Sequence, residues 1–140
     1  MKLRLPRPLI AAAAAATVLA ACDASPPAPE TPPITRLGDT PWRLVSVAGN
    51  DVGSVDVVLR IAGGFVSGKG PCNSLTANYL GDAPEFQIEA MATSNTTCDR
   101  RGLENRIFEA LLDARSAVVA NETLTLSGPD GEALVFRPAA

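Results

Sequence analysis

The chain has 140 residues, 46% of them hydrophobic, and a formal net charge of −3 at neutral pH. That length suits one domain with one modest core. A mildly acidic chain without a basic stripe is a poor candidate for nucleic-acid binding, and its net charge predicts no electrostatic attraction to an anionic membrane. Because the chain contains no histidine, histidine-dependent triads and histidine metal sites are excluded.

The N-terminal segment, residues 1–21, has the pattern of a secretory signal peptide. Lys2, Arg4 and Arg7 precede an uncharged, alanine-rich stretch that ends in small residues. A basic start followed by a short apolar segment is typical of export signals, and the segment is shorter than the roughly 20 apolar residues of a membrane-spanning helix. A buried alanine-rich helix is the less favoured alternative, since it would carry three cations at one end.

Leu19-Ala20-Ala21-Cys22 resembles the bacterial lipobox, a branched apolar residue and two small residues before cysteine. The resemblance implies that the Cys22 thiol carries lipid and that cleavage occurs just before it. A multiply acylated cysteine provides the more than one chain that stable anchoring requires. Asp23 follows, a residue that favours inner-membrane retention in the Gram-negative sorting system. The expected protein is therefore anchored to the membrane of a bacterial envelope and faces the periplasm.

Residues 22–36 are rich in proline and poor in large apolar side chains. Such a segment cannot bury enough surface to fold. An extended proline-rich chain rises about 3.1 Å per residue, so this tether would reach roughly 40 Å from the lipid. The remaining residues, 37–140, are the predicted folded domain.

Alternating apolar residues predict about seven short strands in this domain. In the first strand, Trp42 and Leu44 lie on one face and Val45 and Val47 on the other. Gly128-Pro129-Asp130-Gly131 is a strong hairpin signal before the last strand. In chain order, the strand patterns are TPWRLVSVAG, SVDVVLRIAGG, FVSGKG, CNSLTANYLGD, EFQIEAMA, ETLTLSG and EALVF.

A helical period replaces this alternation between Asp99 and about Ser116. Asp99 is the predicted N-cap, and Glu104 and Glu109 are predicted to be solvated or paired with nearby arginines. The fold class is therefore α+β and mainly β, an antiparallel sheet crossed by one amphipathic helix. The apolar helix face consists of Leu103, Ile107, Leu111 and Ala114, with Phe108 and Leu112 beside it.

Two cysteines remain once Cys22 is assigned to lipid. An exported protein favours disulfides, and Cys72 and Cys98 are then the only possible intramolecular pair. A redox-active dithiol or a metal site is the alternative, but the spacing is not C-x-x-C. A structural disulfide is the prediction.

The stretch GGFVSGK, Gly63 to Lys69, matches the first seven places of a phosphate-binding loop. The next place should hold serine or threonine for magnesium, but Gly70 stands there. The residues between the glycines also have a strand pattern. A tight hairpin with a bulge is the favoured interpretation.

The domain as a whole resembles the META/HslJ family of small envelope proteins. The resemblance rests on an early Trp-x-Leu, on GKGPCNSLTANY, on MATSNTTC and on the helix that follows. Pro71 departs from the pattern, which usually has glycine before Cys-Asn. The family-pattern positions, expected to be structural, are Trp42, Cys72, Asn73, Tyr79, Thr93, Cys98 and Glu104.

This resemblance implies a bent sheet or partly closed small barrel with a helix packed on it. It does not imply a reaction, and the residues themselves predict no cofactor and no metal site. The expected function is that of a non-catalytic envelope lipoprotein in stress tolerance or envelope maintenance. The alternative is a carrier or pilot protein that holds a lipid or a peptide, and no nucleic-acid partner is expected.

Overall fold

The computed structural model describes residues 36–140. The predicted signal peptide, the lipidation site at Cys22, the Asp23 sorting position and nearly all of the tether lie outside the described residues. The predicted boundaries at residues 21 and 36 therefore stay predictions. The described residues form one compact unit.

The described chain forms a curled antiparallel sheet with one α-helix, which confirms the predicted fold class. The sheet order is β6-β5-β4-β3-β1-β9-β8-β7, with β2 paired to β1 alone. A 3₁₀ helix precedes the first strand at Leu37–Asp39. The strands are β1 Trp42–Val47, β2 Asn50–Asp51, β3 Val58–Ala62, β4 Phe65–Lys69, β5 Ser74–Leu80, β6 Gln87–Thr93, β7 Ser116–Ala120, β8 Thr123–Ser127 and β9 Ala133–Pro138, and helix α1 is Arg101–Asp113.

The two ends of the sheet meet at one point, just before β6 and at the start of β7. The N–H of Phe86 donates to the carbonyl of Arg115 at 3.1 Å, and the N–H of Ala117 donates to the carbonyl of Pro84 at 2.8 Å. These backbone bonds join the outer strands over a short stretch. The sheet is consequently a partly closed half-barrel.

The core lies inside the curl of the sheet and is sealed by α1. Leu59 and Ile61 of β3 are fully buried, as the alternation predicts. Ile107 and Leu111 of α1 are also fully buried and pack into the same cluster. Trp42 is buried completely, and its indole N–H donates to the carbonyl of Leu37 at 2.8 Å, which satisfies its polar atom.

The structure has nine strands among the described residues, where the sequence predicted about seven. The two additional strands are β2, only two residues long, and β7, whose first residue was assigned to the helix. The predicted face of Val47 is also wrong. A register shift between Leu44 and Ser46 reverses the alternation, so Val47 lies in the core.

The helix is shorter than predicted, but it buries most of the predicted face, since Ile107, Leu111 and Ala114 are fully buried. It begins at Arg101, and Arg100 occupies the N-cap without a side-chain hydrogen bond, so the prediction of Asp99 as N-cap is wrong. Leu112 is 41% exposed, although the sequence placed it beside the buried face. Glu104 occupies that face instead and is buried.

The GGFVSGK stretch forms the hairpin between β3 and β4. Gly63 and Gly64 have φ values of 61° and 84°, and Ala62 pairs directly with Phe65. A two-residue turn of this kind needs positive φ at both positions, which glycine supplies. The β3–β4 register is continuous, so the hairpin is confirmed and the expected bulge is not found there.

Candidate functional site

The strongest polar cluster of the described residues surrounds Glu104. This residue lies in the first turns of α1 and is only 3% exposed. Its Oε2 atom accepts hydrogen bonds from the backbone N–H groups of Cys72 at 2.8 Å and Asn73 at 2.7 Å. Its Oε1 atom accepts one from the Asn73 side-chain amide at 2.6 Å. The carboxylate thus fastens the helix to the turn that precedes β5.

Asn73 extends this network to the segment after β6. Its Oδ1 atom accepts hydrogen bonds from the Ser94 hydroxyl at 2.8 Å and the Thr96 N–H at 2.6 Å. Its Nδ2 atom donates to the Thr96 carbonyl at 3.1 Å as well as to Glu104. An asparagine amide has two donors and one oxygen with two lone pairs. Both donor hydrogens and both lone pairs of the Asn73 amide are used in hydrogen bonds within the protein.

A disulfide between Cys72 and Cys98 joins the same two segments covalently. Their Cα atoms are 5.9 Å apart, within the usual range for a bridge. The disulfide predicted from the sequence is therefore present in the structure. It lies next to the Glu104 hydrogen bonds, since Cys72 contributes to both through different atoms.

Gly70 leaves space for the Glu104 carboxylate, because it has no side chain. A Cβ atom at this position would come within 2.9 Å of Glu104 Oε2 and 3.0 Å of the Phe108 ring. The Gly70 N–H also donates to the Asn73 carbonyl at 2.7 Å, which closes the turn. Gly70, which stands where a phosphate-binding loop would have serine or threonine, is thus required by packing.

The network keeps Glu104 ionised. Burial raises the pKa of its carboxyl group, but hydrogen bonds from the Asn73 side chain and from the Cys72 and Asn73 N–H groups, together with the positive charge of Arg101, outweigh burial. The net result is a pKa below the ordinary glutamate value. The prediction that Glu104 is solvated is wrong, because the residue is 3% exposed and its hydrogen-bond partners lie on the turn before β5. The alternative of a neighbouring arginine holds only in part: the charge of Arg101 acts on the carboxylate, but among the described residues no arginine forms an ion pair with it.

The family-pattern residues fall into two groups. Cys72, Asn73, Cys98 and Glu104 come together in this cluster. The other three lie elsewhere. Trp42 is in the core, the Tyr79 ring stacks on Phe86 with centroids 5.2 Å apart, and Thr93 is exposed at the end of β6.

Sequence reasoning missed the contributions of Ser94 and Thr96. Both act on Asn73 from an irregular segment, and Thr96 does so through its backbone, which no side-chain pattern reveals. Glu104 left a usable signal, because it stands three and seven residues before the buried Ile107 and Leu111. That spacing places it on the buried helix face.

The cluster binds protein segments to one another, and its two polar residues, Glu104 and Asn73, are only 3% and 5% exposed. Among residues 36–140, every buried side-chain nitrogen and oxygen has a hydrogen-bond partner. The same residues contain no group of three or more potential metal ligands. No helix in the described part is both long enough and apolar enough to cross a membrane.

The domain is a small curled sheet with one helix. The Glu104 carboxylate fastens the turn before β5 to that helix, and the Cys72–Cys98 disulfide fastens the same turn to the segment after β6. The META domain family model matches residues 35–140, and the chain belongs to this family. No curated protein matches the chain.

Three solved structures share the fold. A protein from Burkholderia xenovorans, determined by NMR, has a TM-score of 0.60 and 17% identity, over 83% of this chain and 99% of its own. A second NMR structure also has a TM-score of 0.60, with 20% identity over 73% of this chain and 91% of its own. A DUF4847 family protein from Bacteroides vulgatus has a TM-score of 0.56 and 12% identity, over 72% and 93% of the two chains.

Proposed function

We propose that this protein is a lipid-anchored lipoprotein of the bacterial cell envelope, whose META domain acts without catalysis in stress tolerance or envelope maintenance. The observation that carries the proposal is the division of the three cysteines. Cys72 and Cys98 are joined to each other, and Cys22 follows a signal-like segment within a lipobox-like sequence. Disulfides persist in oxidising compartments. The Cys72–Cys98 disulfide therefore supports export of the domain, and export is what the lipobox-like sequence around Cys22 also predicts.

The non-catalytic part of the proposal is supported by the state of Glu104. A general acid or base has to reach a substrate within hydrogen-bond distance. Glu104 is only 3% exposed, and its carboxylate accepts hydrogen bonds from Cys72 and Asn73. META domains are also generally non-catalytic.

The anchor is tested with a Cys22→Ser variant produced from the full chain in a bacterium, with Ala24→Ser as the matched control. Wild type and control are expected to stay with membranes in about 1 M salt, which shortens the Debye length to about 3 Å, and to be extracted by detergent. The Cys22→Ser chain should lack the mass of the lipid and keep residues 1–21. Release of the wild type by salt alone would refute the anchor.

A carrier of lipid or peptide is the second candidate, and a groove of about 330 Å³ on the outer face of β4, β5 and β6 favours it. Native mass spectrometry of the purified wild type and of Ala90→Trp, which would fill the groove, tests this function. A ligand bound to the wild type and lost in the variant supports the carrier, and a ligand-free wild type argues against it. The groove is lined by Phe65, Thr76, Ala77, Asn78, Ala90, Met91 and Ala92.

A further inference from the structure

The cations of the sheet are gathered on one surface, which we call the basic face and define as Arg43, Arg60, Lys69 and Arg137. Lys69 pairs with Val58, Val58 pairs with Arg43, and Arg43 pairs with Arg137. Directly paired residues of antiparallel strands project to the same side of the sheet. These residues therefore form one row across β4, β3, β1 and β9, and Arg60 projects to the same side two residues after Val58.

The basic face is positively charged, although the chain as a whole has a net negative charge. Its four strands, β1, β3, β4 and β9, contain four cations and no aspartate or glutamate. Net charge alone predicts no attraction of this chain to an anionic membrane. Net charge hides this segregation, because the acids of the described chain lie in the loops, the helices and the short or outer strands β2 and β6.

The charges of the basic face are poorly compensated. The single ion pair among residues 36–140 joins Arg43 to Asp56, and its side chains are 47% and 71% exposed. Arg60, Lys69 and Arg137 have no carboxylate within ion-pair distance in that range. Arg43 also lies directly opposite Arg137, and like charges in this position destabilise a sheet. An anionic partner would offset that cost.

An exposed aromatic ring borders these cations. Phe65 is 64% exposed and follows the Gly63–Gly64 turn at the tip of the β3–β4 hairpin. Phe65 and Lys69 project to the same side, because they are four residues apart on one strand. A surface that combines cations with an exposed aromatic side chain suits the boundary between headgroups and acyl chains.

We propose that the basic face docks the domain onto an anionic phospholipid surface, with headgroup phosphates against its cations and Phe65 inserted among the headgroups. The inference takes the membrane location from the proposed function. Each cation near such a surface is worth about a fivefold gain in affinity, so the untethered domain binds weakly. A tether of roughly 40 Å would raise the local lipid concentration and make weak docking effective.

Lys69 is the natural probe, since it is the only lysine after Lys2. The full-length lipidated protein is reconstituted in vesicles of phosphatidylcholine alone, or of phosphatidylcholine and phosphatidylglycerol in equal parts, and is treated with an amine-acetylating reagent at low salt. Mass spectrometry of the Lys69 peptide gives the rate. Acetylation should be several-fold slower on the anionic vesicles, because docking shields Lys69, and the difference should disappear at high salt.

The double variant Arg60→Glu with Arg137→Glu should lose this protection, and Arg106→Glu, an exposed change on α1, should keep it. Circular dichroism verifies that each variant is folded. Protection that persists in the double variant would reflect the lower pH near an anionic surface and would overturn the proposal. Protection by soluble polyphosphate without protection by anionic vesicles would overturn it too, in favour of a soluble polyanion.

Flotation of the same samples separates this proposal from the lipid anchor. Flotation with both kinds of vesicle, but equal acetylation of Lys69, overturns the docking face and leaves the anchor intact. Flotation with anionic vesicles alone refutes the anchor and supports the docking face. Absence of flotation with either kind refutes the anchor, and it overturns the docking face as well, because weak docking needs the tether to be effective.

Discussion

Glu104 and Asn73 are joined by two hydrogen bonds, one from the Asn73 backbone N–H at 2.7 Å and one from its side-chain amide at 2.6 Å. Both residues are buried, and they are the only buried polar or charged residues among positions 36–140. Since Asn73 also binds Ser94 and Thr96, this pair connects the helix, the turn before β5 and the segment after β6.

Replacing Glu104 by glutamine should destabilise the domain by about 3 kcal/mol. The carboxylate accepts three hydrogen bonds from N–H groups, and glutamine would present an NH₂ group to at least one of those donors. Hydrogen bonds to a charged group contribute about 1.5–3 kcal/mol, and a buried donor left unpaired adds a penalty. Urea unfolding near neutral pH measures the change. Glu109→Gln, an exposed change on the same helix, is the control and should shift stability by less than about 0.5 kcal/mol. Equal effects of the two substitutions would contradict the role of the network.

The stability of the wild type should fall in acid because of the same carboxylate. Its pKa is lower in the folded protein than the ordinary glutamate value, which is about 4.3. A lowered pKa contributes stability that is fully present above the unfolded value and is lost as the pH falls through the folded value. Urea unfolding between neutral pH and about pH 3 should therefore show a decline that is shallower in Glu104→Gln. A variant with the same acid dependence as the wild type would show that other carboxylates cause the decline.

The part of the fold that depends on local alternation could be predicted from the sequence. Leu59 and Ile61 are buried as expected, and the β3–β4 turn lies at Gly63 and Gly64, where the glycines of GGFVSGK predicted a tight hairpin. The exceptions depend on tertiary structure. Val47 faces the core because of a register shift against β9, and a shift of one residue turns a side chain to the other face of a sheet.

The candidate site was only half predictable for a related reason. The disulfide partners follow from the cysteine count, but a glutamate on a helix is usually solvated. Glu104 is buried because Cys72 and Asn73 supply its hydrogen bonds from 32 and 31 residues away in sequence. Partners at such separations, two of them backbone N–H groups, leave no periodic signal.

Two glycine substitutions should have opposite effects. In Gly70→Ala the new Cβ would meet Glu104 Oε2 at 2.9 Å and the Phe108 ring at 3.0 Å, and overpacking typically costs about 1–3 kcal/mol. In Gly102→Ala the new Cβ has no neighbour within 4 Å, and alanine in a helix is favoured over glycine by roughly 0.5–1 kcal/mol. Thermal unfolding should show a lower Tm for the first variant and a higher Tm for the second. A Gly70→Ala protein as stable as the wild type would show that the helix moves away at little cost.

The disulfide should contribute about 3.5 kcal/mol, because it closes a loop with a sequence separation of 26 and constrains the unfolded chain. The double variant Cys72→Ser with Cys98→Ser tests this value by urea unfolding under non-reducing conditions. The carboxylate network should survive in this variant, since Cys72 binds Glu104 through its backbone N–H. Adding Glu104→Gln to the double variant should therefore lower the free energy of unfolding nearly as much as adding it to the wild type. A much smaller loss would show that the disulfide is needed to form the network. Wild-type protein whose two thiols react freely with a maleimide after denaturation without reductant would contradict the disulfide itself.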